Sequence, residues 1–272
     1  MLKDITFGQY IERDSKIHKL DPRTKILLLI TVITLIFVCS GFVPLSAVIL
    51  FVLCIIIVSK VPLKLYLKNL KAILLIVLFT SLINIFYTKT GDVLLEFWKI
   101  KITDDGIFTA LYLTLRILLL ILASSSLTYT TTPNDLTDGI ESLCTPLKFI
   151  GLKNVIHTMA LMMTIALRFI PTLVEETEKI MNAQKARGAD MENGSLKQRI
   201  KALIPILIPL FISAVRRSYE LAEAMECRCY NGGEGRRRMK QLTFSLKDYV
   251  SFALGLLLIA AVVILNILKV GF

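Results

Sequence analysis

The run ILLLITVITLIFVCSGFVPLSAVILFVLCIIIVS, residues 26–59, carries no charged side chain. A helical crossing of a bilayer takes ~20 apolar residues, so this run is too long for one span and slightly short for two. Ser40-Gly41-Phe42-Val43-Pro44 breaks it near its middle, where Gly and Pro act as strong local punctuators. The run reads as two short spans, about 26–40 and 44–59, joined by a tight turn.

Upstream, residues 1–25 are polar and mixed in charge, with no apolar core before Ile26. A cleavable signal peptide is not indicated. Leu20-Asp21-Pro22-Arg23-Thr24 is a helix start, because Asp21 can cap and Pro22 suits the first helical position. Lys25 marks the membrane boundary. Downstream, Lys60, Lys64, Lys68 and Lys71 follow with no acid among them. Basic residues beside spans face the cytoplasm, so this is the clearest orientation marker in the chain. Leu63, Leu65, Leu67 and Leu70 alternate with these lysines, which reads as a loop lying along the interface.

A third span is read at about 72–88, with Asn84 requiring a partner in the bundle. Residues 89–106 form a polar external loop, with Trp98 at the headgroup level. The fourth span, about 107–130, contains Arg116. A cation there is either functional or held within the bundle. Ser124-Ser125-Ser126 offers a small, hydrogen-bonding face. Counted from a cytoplasmic N-terminus, four spans return the chain to the cytoplasm near residue 131.

Segment 131–240 holds most of the remaining charge. A short helix opens at Thr132-Pro133-Asn134-Asp135 and stops near Cys144-Thr145-Pro146. Residues 152–170 are apolar enough to mimic a span, yet His157, Arg168 and Pro171 lie in or beside them. They read as the buried root of a long helix that Pro171 kinks. Two charge-dense helices then stand out, 171–188 and 211–229, separated at Gly194-Ser195. A single constant offset brings them into register: Ala183 falls on Ala224, Ala186 on Cys227, Arg187 on Arg228 and Gly188 on Cys229. Each presents one arginine between small residues at its C-terminal end. The helix dipole favours a cation there, and small neighbours leave the guanidinium free to reach a partner. A solvated face accounts for pairs such as Glu175 with Lys179 and Arg216 with Glu220. It does not account for the repeated ending Ala-x-x-(Ala/Cys)-Arg-(Gly/Cys). Gly188 is expected to supply a left-handed helix exit that Cys229 cannot. Arg236-Arg237-Arg238 and Lys240 mark the cytoplasmic edge of a last span, about 246–268, and only Lys269 follows it. That asymmetry places the C-terminus outside.

The 272 residues are 55% hydrophobic, with mean hydropathy +0.68 and net charge +11. The basic residues sit beside apolar spans, so the positive-inside rule accounts for the charge and nucleic acid is not indicated. Cys39, Cys54, Cys144, Cys227 and Cys229 are scattered. They form neither a disulfide framework nor a zinc site. No Walker-type loop, dinucleotide fingerprint, H-E-x-x-H or nucleophile elbow occurs, and His18 and His157 lack a ligand set. The chain is read as non-enzymatic, with no metal or cofactor of its own. The expected fold is an all-α integral membrane protein of about five transmembrane helices. Its parts are an interfacial segment 1–25, four spans within 26–130, a cytoplasmic coupling domain of amphipathic helices at 131–240, and a last span within 241–272.

These residues resemble a known family, the transmembrane T (EcfT/CbiQ-like) components of energy-coupling factor (ECF) transporters, which are importers driven by ABC-type ATPases. Gly8-Gln9-Tyr10, Asp14-Ser15, Ile17-His18 and Leu20-Asp21-Pro22-Arg23-Thr24-Lys25 are similar to the family's N-terminus. Leu167-Arg168-Phe169-Ile170-Pro171 resembles the entry into its first coupling helix. Ala183-Gln184-Lys185-Ala186-Arg187-Gly188 and Ala224-Met225-Glu226-Cys227-Arg228-Cys229 resemble its two Ala-Arg-Gly motifs, the second departing at both flanks. The resemblance implies that Arg187 and Arg228, with Ala186, Gly188, Cys227 and Cys229, dock into grooves of two ATPase subunits. Arg168, Pro171, Ala183, Gln184, Ala224 and Glu226 would support the coupling helices. It also implies a small membrane S component as substrate-binding partner, ATP and magnesium held by the ATPases, and vitamin or micronutrient uptake at the cell membrane.

Two other classes compete. A self-sufficient secondary carrier would show repeated halves with polar residues at the midplane, whereas this chain concentrates its polarity outside the spans, Arg116 and Asn84 excepted. A basic scaffold for anionic lipid or nucleic acid would use Arg236-Arg237-Arg238 but leave the paired tips without a role.

Overall fold

A computed structural model describes residues 9–87, 93–97, 100–146, 153–188, 195–232 and 242–268. Gly8, Trp98, Gly194, Arg236-Arg237-Arg238, Lys240 and Lys269 lie outside the described residues. The element order is α1 (Pro22–Val38), α2 (Phe42–Ser59), α3 (Leu63–Tyr87), β1 (Val93–Phe97), β2 (Ile100–Thr103), α4 (Asp104–Thr130), α5 (Pro133–Leu143), α6 (Lys153–Ala186), α7 (Leu196–Cys227) and α8 (Leu246–Ile267). The chain is an all-α membrane protein with one short antiparallel hairpin, β1–β2, which the sequence reading did not foresee. It divides into two compact units, one built on Gly8–Gly139 with Leu242–Phe272 and the other on Ile140–Gln241.

In the first unit the turn at Ser40-Gly41 separates α1 from α2, where the break in the uncharged run was read. Asp21 caps α1 by accepting the Arg23 N–H at 2.9 Å, and Pro22 opens the helix. The core is a seam of Val32, Leu35 and Ile36 on α1, Leu45, Val48, Val52 and Ile56 on α2, Leu119 and Ala123 on α4, and Leu258 and Val262 on α8. The three- and four-residue spacing places each set on one helix face. Apolar packing in lipid lacks the hydrophobic driving force that it has in water, so polar contacts between helices weigh more in fixing the bundle.

Two polar clasps close this bundle, one at each end. At the first, buried Asp248 accepts the Ser245 N–H at 2.7 Å and the Asp21 N–H at 2.8 Å, capping α8 while tying it to the start of α1. Beside it, buried Lys25 donates to the Thr130 carbonyl at 2.8 Å and the His18 carbonyl at 3.3 Å, joining α1 to the end of α4. At the other end, the last carbonyls of α1 have no intrahelical partner. Arg116 donates to Phe37 O at 2.7 Å, Asn266 to Val38 O at 2.9 Å, and the Tyr112 hydroxyl to Cys39 O. Arg116 also lies over the Phe37 ring, 4.7 Å from its centroid. Arg116 is therefore held within the bundle, on the negative end of a helix dipole. Asn84, by contrast, bonds within its own helix, to Thr80 O at 2.8 Å.

Among the described residues, five helices are long and apolar enough to cross a membrane: α2, α3, α4, α6 from Val155, and α8. The number agrees with expectation, but the membership differs. The 17-residue α1 is not among them and α6 is. The clasps resolve the position of α1. They fall at Asp21 and Phe37 on α1, and at Asp248 and Asn266 on α8. At the helical rise per residue, each of these stretches covers about 24–27 Å. Helix α1 thus runs alongside α8 over a comparable length. A second difference concerns Lys64, Lys68 and Lys71. They lie on the first turns of α3, not on an interfacial loop, because their spacing of four and three is that of one helix face.

The second unit is built on α6 and α7. Helix α6 runs unbroken through Pro171, and α7 through Pro205 and Pro209. The apolar root of α6 is not buried as expected: Val155, Met159, Met162 and Met163 are exposed. Within this unit α7 is the long helix packed against α6, and one neighbour cannot cover a helix that is apolar on several faces.

The Arg116 clasp generates a prediction. Loss of a charge-assisted bond that satisfies a helix-end carbonyl costs about 1.5–3 kcal/mol. Arg116→Met should lower membrane abundance and the unfolding midpoint of the purified protein. Arg116→Lys should be intermediate in abundance, midpoint and transport together. Normal abundance and midpoint with abolished transport would instead assign Arg116 a direct role in transport.

Candidate functional site: two arginine-tipped helices

Helices α6 and α7 end at equivalent positions of the repeat, Ala186 and Cys227, and each is followed by its arginine. In α6 the Arg187 N–H is shared between Ala183 O at 3.3 Å and Gln184 O at 3.1 Å, and the Gly188 N–H reaches Lys185 O at 3.0 Å. Gly188 has φ +86°. In α7 the Arg228 N–H reaches Met225 O at 3.1 Å, Cys229 reaches Glu226 O at 2.8 Å, and Tyr230 reaches back to Met225 O at 3.0 Å. The last two bonds make a Schellman ending. Cys229 has φ +54°. Both arginines are thus the boundary residue of their helix, each followed by a left-handed residue.

This corrects the expectation for Cys229. A cysteine does supply the left-handed exit, because the paired bonds to Glu226 and Met225 offset a steric cost of about 1–2 kcal/mol. At Gly188 a Cβ would meet nothing within 4 Å. Any cost of a side chain there is therefore backbone strain and not collision.

Arg187 and Arg228 are exposed, and among the described residues neither side chain makes a hydrogen bond or ion pair. Ala183, Ala186, Gly188, Ala224, Glu226, Cys227 and Cys229 are exposed around them, and Gln184 is half-buried. Arg168 and Pro171 lie inside α6, both exposed.

Sequence reasoning missed what joins the two helices. Glu176 on α6 accepts from the Ser213 hydroxyl and forms an ion pair with Arg217 of α7 at 3.1 Å. Glu176 and Arg217 are related by the same offset that aligns Arg187 with Arg228, so the contact falls at equivalent points of the two helices. Glu176 to Arg187 and Arg217 to Arg228 are therefore equal lengths of chain. Each tip lies about three helical turns, or about 16 Å, from the common contact. The signal was present in the offset itself, which extends beyond the terminal motifs. In the same unit His157, 3.3 Å from Glu141, is a packing contact between α6 and α5. Among the described residues no group of three or more His, Cys, Asp or Glu is placed to hold a metal.

What this arrangement can do is present two unpaired, planar cations at matched distances from one joint. Residues 13–241 match the CbiQ family model, described as cobalt transport protein. The chain is 50% identical over 260 residues to the energy-coupling factor transporter transmembrane protein EcfT of Clostridium kluyveri, covering 95% of this chain and 96% of that one. It is 51% identical over 248 residues to that of Ruminiclostridium cellulolyticum, covering 91% and 92%. Against that of Bacillus subtilis it is 42% identical over 261 residues, covering 96% and 97%. The chain belongs to this CbiQ family of transporter membrane proteins, to which its energy-coupling factor relatives also belong.

Proposed function

We propose that this multi-pass membrane protein is the coupling subunit of an energy-coupling factor importer. It carries ATP-driven movement of two ABC-type ATPase subunits to a small substrate-binding S component, for uptake of vitamins or other micronutrients. The observation that carries the reading is the pair of exposed, unpartnered arginines ending two helices at equal distances from a shared contact. A guanidinium so placed can make two charge-assisted bonds to a partner carboxylate. Two equivalent tips suit two equivalent partners. ATP and magnesium belong to those partners, and this chain contributes position and movement.

An exposed apolar stripe on α7 supports the membrane side of the reading. Ile200, Leu203, Ile204, Leu207, Ile208, Phe211 and Ile212 repeat at helical spacing and are uncovered. Such a face fits a hydrophobic partner such as an S component. For orientation we propose a cytoplasmic N-terminus and an external C-terminus, with α1 to α4 and α8 crossing. The basic run Lys60, Lys64, Lys68 and Lys71 supports the cytoplasmic placement of the α2–α3 junction. Cysteines introduced at 62–68 should resist an impermeant thiol reagent in intact cells, and labelling from outside would overturn this orientation.

Removing one member of a buried charged contact costs about 2–5 kcal/mol. Linked sites act through effective concentration, so losing both is far worse than losing either. Arg187→Glu or Arg228→Glu alone should sharply reduce ATP-driven uptake while some ATPase stays bound. The double variant should release both ATPase subunits and leave the membrane spans folded. Unimpaired ATPase binding by the double variant would sink the docking reading. The flanking residues give a finer test. Gly188→Ala introduces left-handed strain of about 1 kcal/mol, or about a fivefold loss of ATPase affinity. Cys229→Ala should change affinity little, because Cys229 already carries a Cβ in that conformation. Equal losses from the two alanines in a binding titration would contradict this account of the helix exits.

A further inference from the structure

A cleft of about 500 Å³ opens in the first unit between α1, α2, α4 and α8. This volume is within the ~300–1,000 Å³ of small-molecule sites. Each helix lines it over a matching stretch: α1 from Lys25 to Val32, α2 from Phe51 to Val58, α4 from Ala123 to Thr130, and α8 from Leu246 to Leu254. These stretches are about 10–12 Å long. Helices α1 and α8 begin at the same end of the cleft, and α2 and α4 finish there. The cleft is therefore a slot about two helical turns deep, apolar within and polar at one end.

The polar end is positive. Lys16, Lys25 and Lys247 line it, and no carboxylate does. Lys16 and Lys247 are exposed and make no ion pair among the described residues. Lys25 is 7% exposed and gives two of its three N–H bonds to the backbone carbonyls of His18 and Thr130. Its third N–H and its charge have no anion within ion-pair distance among the described residues. Asp135, Asp248 and Asp21 stand close by and attract its charge, and none of them lines the cleft. The lining of this end is three ammonium groups with no carboxylate, a combination that favours an anionic ligand.

We propose that this cleft is a binding site for one anionic phospholipid, its acyl chain between the four helices and its headgroup phosphate on Lys16, Lys25 and Lys247. A bilayer supplies a ligand with this division into chain and anion. The lysine end lies at the α2–α3 junction side, which the proposed orientation places in the cytoplasmic leaflet, where anionic lipid attracts basic side chains. The inference rests on that orientation and is independent of ATPase docking.

The test uses the full-length chain purified in mild detergent and exchanged into nanodiscs of phosphatidylcholine with or without phosphatidylglycerol. Native mass spectrometry should find one phosphatidylglycerol retained per chain. Lys16→Gln with Lys247→Gln should reduce retention about tenfold, and both substitutions are at exposed positions. Lys64→Gln with Lys68→Gln, on exposed lysines outside the cleft, should leave it unchanged. Ser251→Phe, which fills the slot with the lysines intact, should also lose the lipid. Cys54 lines the cleft and is exposed, so peptide mapping after maleimide treatment should show phosphatidylglycerol slowing its labelling. Equal retention by the two double variants, retention by Ser251→Phe, or Cys54 protection that appears only with co-purified partner proteins would overturn the proposal. The last result would assign the cleft to a protein segment.

Discussion

A helix that ends inside or beside a bilayer leaves carbonyl groups that water does not satisfy. The organisation of this chain follows from how it treats those ends. At the end of α1, three side chains from two other helices take up the free carbonyls: Arg116 and Tyr112 from α4, and Asn266 from α8. At the opposite face, Asp248 and Lys25 do the equivalent work for the starts of α1 and α8 and the finish of α4. Apolar packing between helices is weakly directional in lipid. The clasps therefore fix how α1, α4 and α8 sit against one another.

Helices α6 and α7 treat their ends in the other way. Backbone bonds within the last turn and a left-handed residue close each helix without help from a neighbour. The arginine at each boundary is thereby left without an internal task. The contrast with Arg116 is instructive, because the residue type and the helix-end location are shared. One guanidinium is held by Phe37, and two are exposed. Availability of the cation, more than its presence, distinguishes a structural arginine from a candidate docking one. The Glu176–Arg217 contact joins the two helices at a point equally far along the chain from both tips.

Much of this was legible in the residues. The bilayer demands long uncharged helices, so the helices within residues 26–59 and 246–268 were readable, as was the helix start at Asp21-Pro22. The paired tips were legible because they repeat at a fixed offset. The start of α3 was misplaced because alternating Lys and Leu was read as an interfacial loop, although Lys64, Lys68 and Lys71 already had helical spacing. The clasps could not be read, since Asp21 and Asp248 are 227 positions apart and their bond depends on the packed bundle. The exit at Cys229 was misjudged because propensity favours glycine there, while local bonds decide the outcome.

The central claim is that the two free arginines, unlike the held one, touch protein partners. Photo-cross-linking in native membranes tests it most directly, with a photoreactive side chain placed at Ala186, at Cys227 and, as the internal comparison, next to Arg116. Adducts to an ATP-binding protein are predicted from both tip positions, and none from the position beside Arg116. Adducts to lipid alone at both tips, or the same adducts at all three positions, would contradict the claim.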